Sequence, residues 1–149
     1  MRRMFLNGTA MSGQKDHHAI AGARFVGPAR TAPRYRFFAV RDEYPGLFPV
    51  DSGGVEVVGE LYEMTEAVLF DSLLPEEPPE LEIGTICLSD GSIVNSMQLQ
   101  PERLPVGDKV VDISALGGWR AYQSFISDNV TSGAPWSERL NEERAVRQR

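Results

Sequence analysis

Apolar and polar positions along this chain fall mostly into short blocks with a period near two, the pattern of strands rather than helices. Met4-Phe5-Leu6 is an apolar run cut off by Asn7-Gly8-Thr9, with Gly13 a turn later, so a buried first strand ends in a glycine loop. Ala23 to Ala29 and Tyr35 to Arg41 carry aromatic or β-branched residues, are fenced by Pro28 and Pro33, and read as strands. In the second, Tyr35 and Phe37 share a face that is either core or pocket wall, with Arg34, Arg36 and Phe38 opposite. Val55 to Met64 is the clearest strand, and Glu80 to Leu88, Ser89-Asp90-Gly91-Ser92 and Ile93 to Gln100 form a hairpin.

Helical spacing is confined to two stretches. Thr65 caps an amphipathic run through Ala67, Leu69, Phe70, Leu73 and Leu74 that Pro75 stops. Arg120 to Asp128 puts Tyr122, Phe125 and Ile126 on one face, and Trp119 before it plugs the core. Gln14 to Ala21 has room for one helical turn, and the charges of Pro75-Glu76-Glu77-Pro78-Pro79 mark it as a stiff, solvated connector. Tyr44-Pro45-Gly46-Leu47-Phe48-Pro49 reads as a turn-rich loop, either a lid over a cleft or a cover on the core. Residues 1–129 are expected to form one domain and 130–149 a polar tail with helical potential.

Composition narrows the function classes. With 149 residues, 42% of them apolar and 24% charged, the chain can bury a core without staples. A net charge of −6 argues against nucleic acid or an anionic membrane as partner. Asn7-Gly8 ends the apolar run after Arg2-Arg3 too early for a signal peptide, no stretch is long enough to span a bilayer, and the expected location is the cytoplasm. Cys87, on a strand beside Ile86 and Leu88, reads as a buried, inert thiol. His17 and His18 are adjacent and point apart, so no metal site and no cofactor is expected.

Candidate chemistry gathers at two places. Successive amides in the loop from Asn7 through Gly8, Thr9, Ala10 and Met11 to Ser12 suit a carboxylate or a polarised carbonyl, although a plain turn would look the same. Period two places Glu82 with Ile86 and Leu88, apolar company that would let a carboxyl hold a proton for acid–base work. Glu60, mid-strand between Gly59 and Leu61, is the second carboxylate candidate, and Tyr35, Tyr44 and Pro45 are candidate pocket walls.

Several segments resemble a known group of proteins. Asn7-Gly8-Thr9-Ala10 is similar to the Tyr-Gly-Thr/Ser-Leu loop of gamma-glutamylcyclotransferase-like proteins. Closer likeness to the allophanate hydrolase C-terminal domain lies in Gly22-Ala23-Arg24-Phe25, Thr31 to Arg36, Pro45-Gly46-Leu47, Gly59-Glu60-Leu61-Tyr62, Ile83-Gly84-Thr85-Ile86 and Gly117 to Tyr122. The resemblance implies an α+β fold, a mixed, barrel-like β-sheet with a few short helices. In the allophanate hydrolase domain a loop histidine is linked to decarboxylation of a carbamate made by the amidase domain. Ala10 stands in its place here, and Glu82 stands where that domain has glycine and near the proton-transferring glutamate of the cyclotransferases.

Three functions follow from the resemblance. The leading one is a small metal-free enzyme in which Glu82 shuttles a proton on a small amide or gamma-glutamyl compound. The second is processing of an amidase's carbamate product. The third is a non-catalytic module that assembles with an amidase. The expected partners are a small molecule carrying a carboxylate or amide and, among proteins, a second copy of the chain or an amidase.

Overall fold

The computed structural model describes residues 1–132. Eight strands form a mixed sheet: β1 Arg2–Leu6, β2 Arg24–Arg30, β3 Tyr35–Val40, β4 Tyr44–Pro49, β5 Val58–Met64, β6 Leu81–Cys87, β7 Ile93–Leu99 and β8 Val110–Asp112. The path runs β2-β5-β1-β7-β4-β3-β8, with β6 added on β7, and the sheet does not close. The fold is α+β, a mixed sheet with a few short helices. Phe5, Phe37, Leu47, Met64 and Tyr122 are among the side chains fully enclosed by it.

The centre of the sheet forks. β6 occupies one edge of β7 over its whole length, from Leu81 opposite Leu99 to Cys87 opposite Ile93. The other edge of β7 is shared, by β1 in parallel at Asn95 and Ser96 and by β4 in parallel at Gln98. Pro45 has no N–H to offer a neighbour, so β4 pairs with β7 only farther along, at Leu47. Between the diverging ends of β1 and β4 a space is left.

The segment expected to be a loop at 44–49 is therefore a strand, with Tyr44 to Leu47 buried. Its proline and glycine imitate a turn in composition, but β3 pairs with it residue for residue from Tyr35–Pro49 to Val40–Tyr44. The tight turn between them places Arg41 and Asp42 at φ 52° and 61°, a left-handed conformation costly without glycine. Ion pairs hold it: Arg41 bonds Glu43 and Glu80, each at 2.7 Å, and Asp108, while Lys109 and the Tyr122 hydroxyl bond Asp42.

The helix predicted after Thr65 exists, and the Val68 amide donates to Thr65 Oγ1 at 3.1 Å. Its middle, Val68–Leu73, is a π-helix followed by a single α-turn, α1 Leu74–Glu76. Pro75 supplies no amide for the ordinary ladder, and the Leu74 N–H reaches back five residues to the Leu69 carbonyl. The helical path thus runs one residue past Pro75 and delivers Glu77 to the fork. The last helix is α2 Trp119–Ser132, and the remainder of the expected tail lies outside the described residues.

Candidate active site

A cavity of about 30 Å³ fills the fork. One wall is the end of β1 and the loop it enters, Asn7 to Ala10; the facing wall is Tyr44 and Pro45 of β4. Ser96 and Met97 of β7 close the base, and Leu81 and Glu77 complete the lining.

The loop wall carries backbone amides left without protein partners. The amides of Gly8, Thr9 and Ala10 donate to no protein acceptor among the described residues, although Gly8 and Ala10 are buried. Their neighbours are committed: Met11 N–H bonds Gly8 O at 3.1 Å, and Asp16 N–H bonds Thr9 O at 2.9 Å. Three successive unpaired amides on a concave turn make a site for negative charge. Gly8 must be glycine for close approach, because a Cβ there would lie 2.6 Å from Pro45 Cδ.

Glu77 faces this wall across the cavity. Burial in the apolar lining, with the negative charge of Asp16 nearby, pushes its pKa up to about 7. At neutral pH the carboxyl is thus near half-ionised, able to take up or give a proton. Tyr44 keeps its phenol protonated, since burial and the adjacent Glu80 raise its pKa.

Of the residues singled out in the sequence, Asn7, Gly8, Thr9, Ala10, Tyr44 and Pro45 meet at the cavity, while Met11, Ser12, Tyr35, Glu60 and Glu82 do not line it. The expectation that Glu82 projects into apolar company is corrected: its side chain is 53% exposed and lies 3.7 Å from Arg103. Burial changes phase along the twisted strand. Leu81 is buried at one end of β6 and Ile86 at the other; Glu82 keeps the face of Ile86 by alternation, but at its end of the strand that face is open to solvent. Glu82→Gln is expected to change stability by less than about 0.5 kcal/mol and to leave ligand binding at the loop unaltered, as urea denaturation and titration calorimetry would check.

Tyr35 belongs to the core, where its hydroxyl accepts a hydrogen bond from the Cys87 amide at 2.8 Å. Glu60 is buried but occupied. Its carboxylate accepts from the Ser12 amide at 2.8 Å, Ser12 Oγ at 2.6 Å and the Tyr62 hydroxyl at 3.0 Å, with Arg120 at 3.3 Å. Burial works to raise its pKa, yet these partners together hold it below the ordinary carboxylate value. Tyr62 is pushed up to about 12 by burial and by Glu60.

Glu60 therefore pins the loop to β5 rather than meeting a ligand. Its bonds stabilise the fold above the ordinary carboxylate pKa, and that contribution is lost as pH falls through its lowered value. Glu60→Gln is expected to cost about 1–3 kcal/mol at neutral pH, read as a lower urea midpoint. The difference from the parent should shrink on acidification.

Glu77 was hidden in the sequence because Glu76-Glu77 between prolines reads as a solvated connector. The available signal was the rigid Pro75 and Pro78 on either side of it, following Leu73-Leu74. Among the described residues, no group of three or more His, Cys, Asp and Glu side chains could hold a metal ion. No described helix is long and apolar enough to cross a membrane.

A mixed sheet whose central fork holds an amide-rich loop opposite one carboxyl defines a class of small α+β site. The chain belongs to the allophanate hydrolase C-terminal domain family, which it matches over residues 2–124. It is 34% identical to c4763, a protein described as specific to uropathogenic E. coli, with 83% of this chain and 95% of that one covered and a TM-score of 0.73. Allophanate hydrolase from Kluyveromyces lactis is 24% identical over 84% of this chain, with a TM-score of 0.75; the match spans 21% of that enzyme's length. A mouse AIG2-like protein shares the fold at 21% identity and a TM-score of 0.55, covering 71% of this chain and 80% of that one. No curated protein matches the sequence.

Proposed function

We propose that the chain is a small acid–base enzyme acting on an amide or gamma-glutamyl compound, with Glu77 in the role the sequence had suggested for Glu82. The observation that carries this reading is that Glu77, whose pKa burial pushes up, lines the same cavity as the Gly8, Thr9 and Ala10 amides, which have no protein acceptor among the described residues. Glu77 and the loop line the same cavity, so a carbonyl bound there would lie between them. The loop amides would stabilise negative charge developing on its oxygen. The ionised Glu77 would accept the proton of an attacking amine and return it to the leaving nitrogen. When attacker and amide belong to one molecule, much of the entropic barrier is absent, so two groups can suffice.

Kinship with cyclotransferase-like folds supports this reading at the level of fold. Release of 5-oxoproline from a panel of gamma-glutamyl compounds, rising through pH 7 and lost in Glu77→Gln, is the expected result. No turnover across the panel would refute it.

The family match favours a second reading, handling of the carbamate product of an amidase, because the domain is part of allophanate hydrolase. Ala10 weighs against it, since a methyl side chain cannot move a proton. Carbon dioxide release from freshly generated N-carboxycarbamate would establish this second activity.

A further inference from the structure

Two large apolar side chains left in water flank Arg2, at the start of β1. Phe70, on the π-helix, is 44% exposed, and the Arg2 guanidinium lies over its ring, 5.5 Å from the centroid. Ile93 is 64% exposed. The parallel pairing of Met4 with Asn95 sets Ile93 level with Arg2 on the same face of the sheet, and Arg2 Nη1 donates to Asn95 Oδ1 at 3.3 Å. Phe70, Arg2 and Ile93 thus form one strip across the helix, β1 and β7.

Charges of opposite sign stand side by side on this strip. Arg2 Nε donates to Glu66 Oε1 at 3.4 Å, and both side chains stay open to solvent, at 39% and 68% exposure. Arg2 Nη2 and Glu66 Oε2 have no bond among the described residues, and neither does the exposed carboxylate of Asp71 beside Phe70. Asp90, in the turn before Ile93, is bonded by Ser92. An occupant must therefore bring apolar surface together with a cation for Glu66 and Asp71 and a carboxylate for Arg2. With a net charge of −6, two copies of this chain repel except where opposite charges meet, and this strip turned through a half-rotation offers all three.

We infer that the strip is the interface of a symmetric homodimer, with its two-fold axis between Arg2 and Glu66. Arg2 of each copy then meets Glu66 of the other, and Ile93 of each crosses toward Phe70 of the other. β1 starts at Arg2 and reaches the fork at Leu6, about 13 Å away. Interface and cavity lie at opposite ends of that strand, so both cavities stay open and the dimer is independent of the chemistry at the fork.

Sedimentation equilibrium of the full chain tests this. The parent should dimerise, and Ile93→Asp, at a site exposed enough to leave the fold intact, should weaken the dimer by about tenfold or more. Arg2→Glu and Glu66→Arg, which set like charges across the axis, should each do the same. An equimolar mixture of those two variants should dimerise nearly as well as the parent, because the two reversals complement each other only between chains. A bridge confined to one chain gives no such rescue. A parent that stays monomeric at about 200 µM, a dimer indifferent to Ile93→Asp, or a mixture no tighter than the single variants overturns the inference. Thermal melts matching the parent's show that each variant is folded.

Discussion

Glu77→Gln is expected to lower turnover by about 10²–10⁴-fold while making the protein more stable at pH 8. A structural carboxylate would give the opposite sign on stability. Because the folded protein holds the Glu77 proton up to about pH 7 and an unfolded chain only to about 4.5, stability falls as pH rises across that window and levels above it. Ionising the group in place costs up to about 3 kcal/mol, and glutamine, which fills the same space uncharged, avoids it. Urea denaturation of both proteins at pH 4.5 and pH 8 checks this. The two stabilities should be close at the lower pH and separate at the higher.

Gly8→Ala should damage the site from the opposite wall. A Cβ at position 8 would meet Pro45 Cδ at 2.6 Å and Cγ at 2.8 Å, inside any normal contact. Either the loop or the first residues of β4 must move, and a displacement near 1 Å is enough to lose about 10²-fold in rate. The overpacking should also cost about 1–3 kcal/mol of stability. Pro45→Ala added to the same chain removes the obstructing ring atoms and should restore much of the lost stability. Such rescue is the mark of a direct clash, and double-mutant thermal melts would show it as strong non-additivity.

The outline of this fold was legible because period two is a strong signal where strands are half-buried. The first strand, the glycine loop and the hairpin around Asp90-Gly91 were all readable in this way. Three features were not, each for a physical reason. Tyr44 to Pro49 has the composition of a loop, but strand pairing with β3 overrides it. Glu82 follows the alternation of β6 and shares a face with Ile86, but that face is covered only at the Ile86 end; near the fork it is Leu81, on the opposite face, that is buried. Glu77 sits between prolines in an acidic run, and only the π-turn of the preceding helix brings it against the apolar lining of the cavity. The loop half of the cavity is local in sequence and could be read; the position of Glu77 depends on tertiary packing and could not.

Glu60 makes the same point from the other side. A lone acid in mid-strand attracts a functional reading, yet its partners Ser12, Tyr62 and Arg120 come from three separate parts of the chain and turn it into a brace. By holding Ser12 it fixes the end of the loop whose start carries the unpaired amides.

Carbon-13 NMR of the Glu77 side-chain carboxyl, assigned by its loss in Glu77→Gln, measures directly whether that group changes charge near neutral pH. A midpoint near pH 7 is the predicted result. A midpoint near 4.5 would mean an ordinary solvated glutamate, and the proposed chemistry would have no proton carrier.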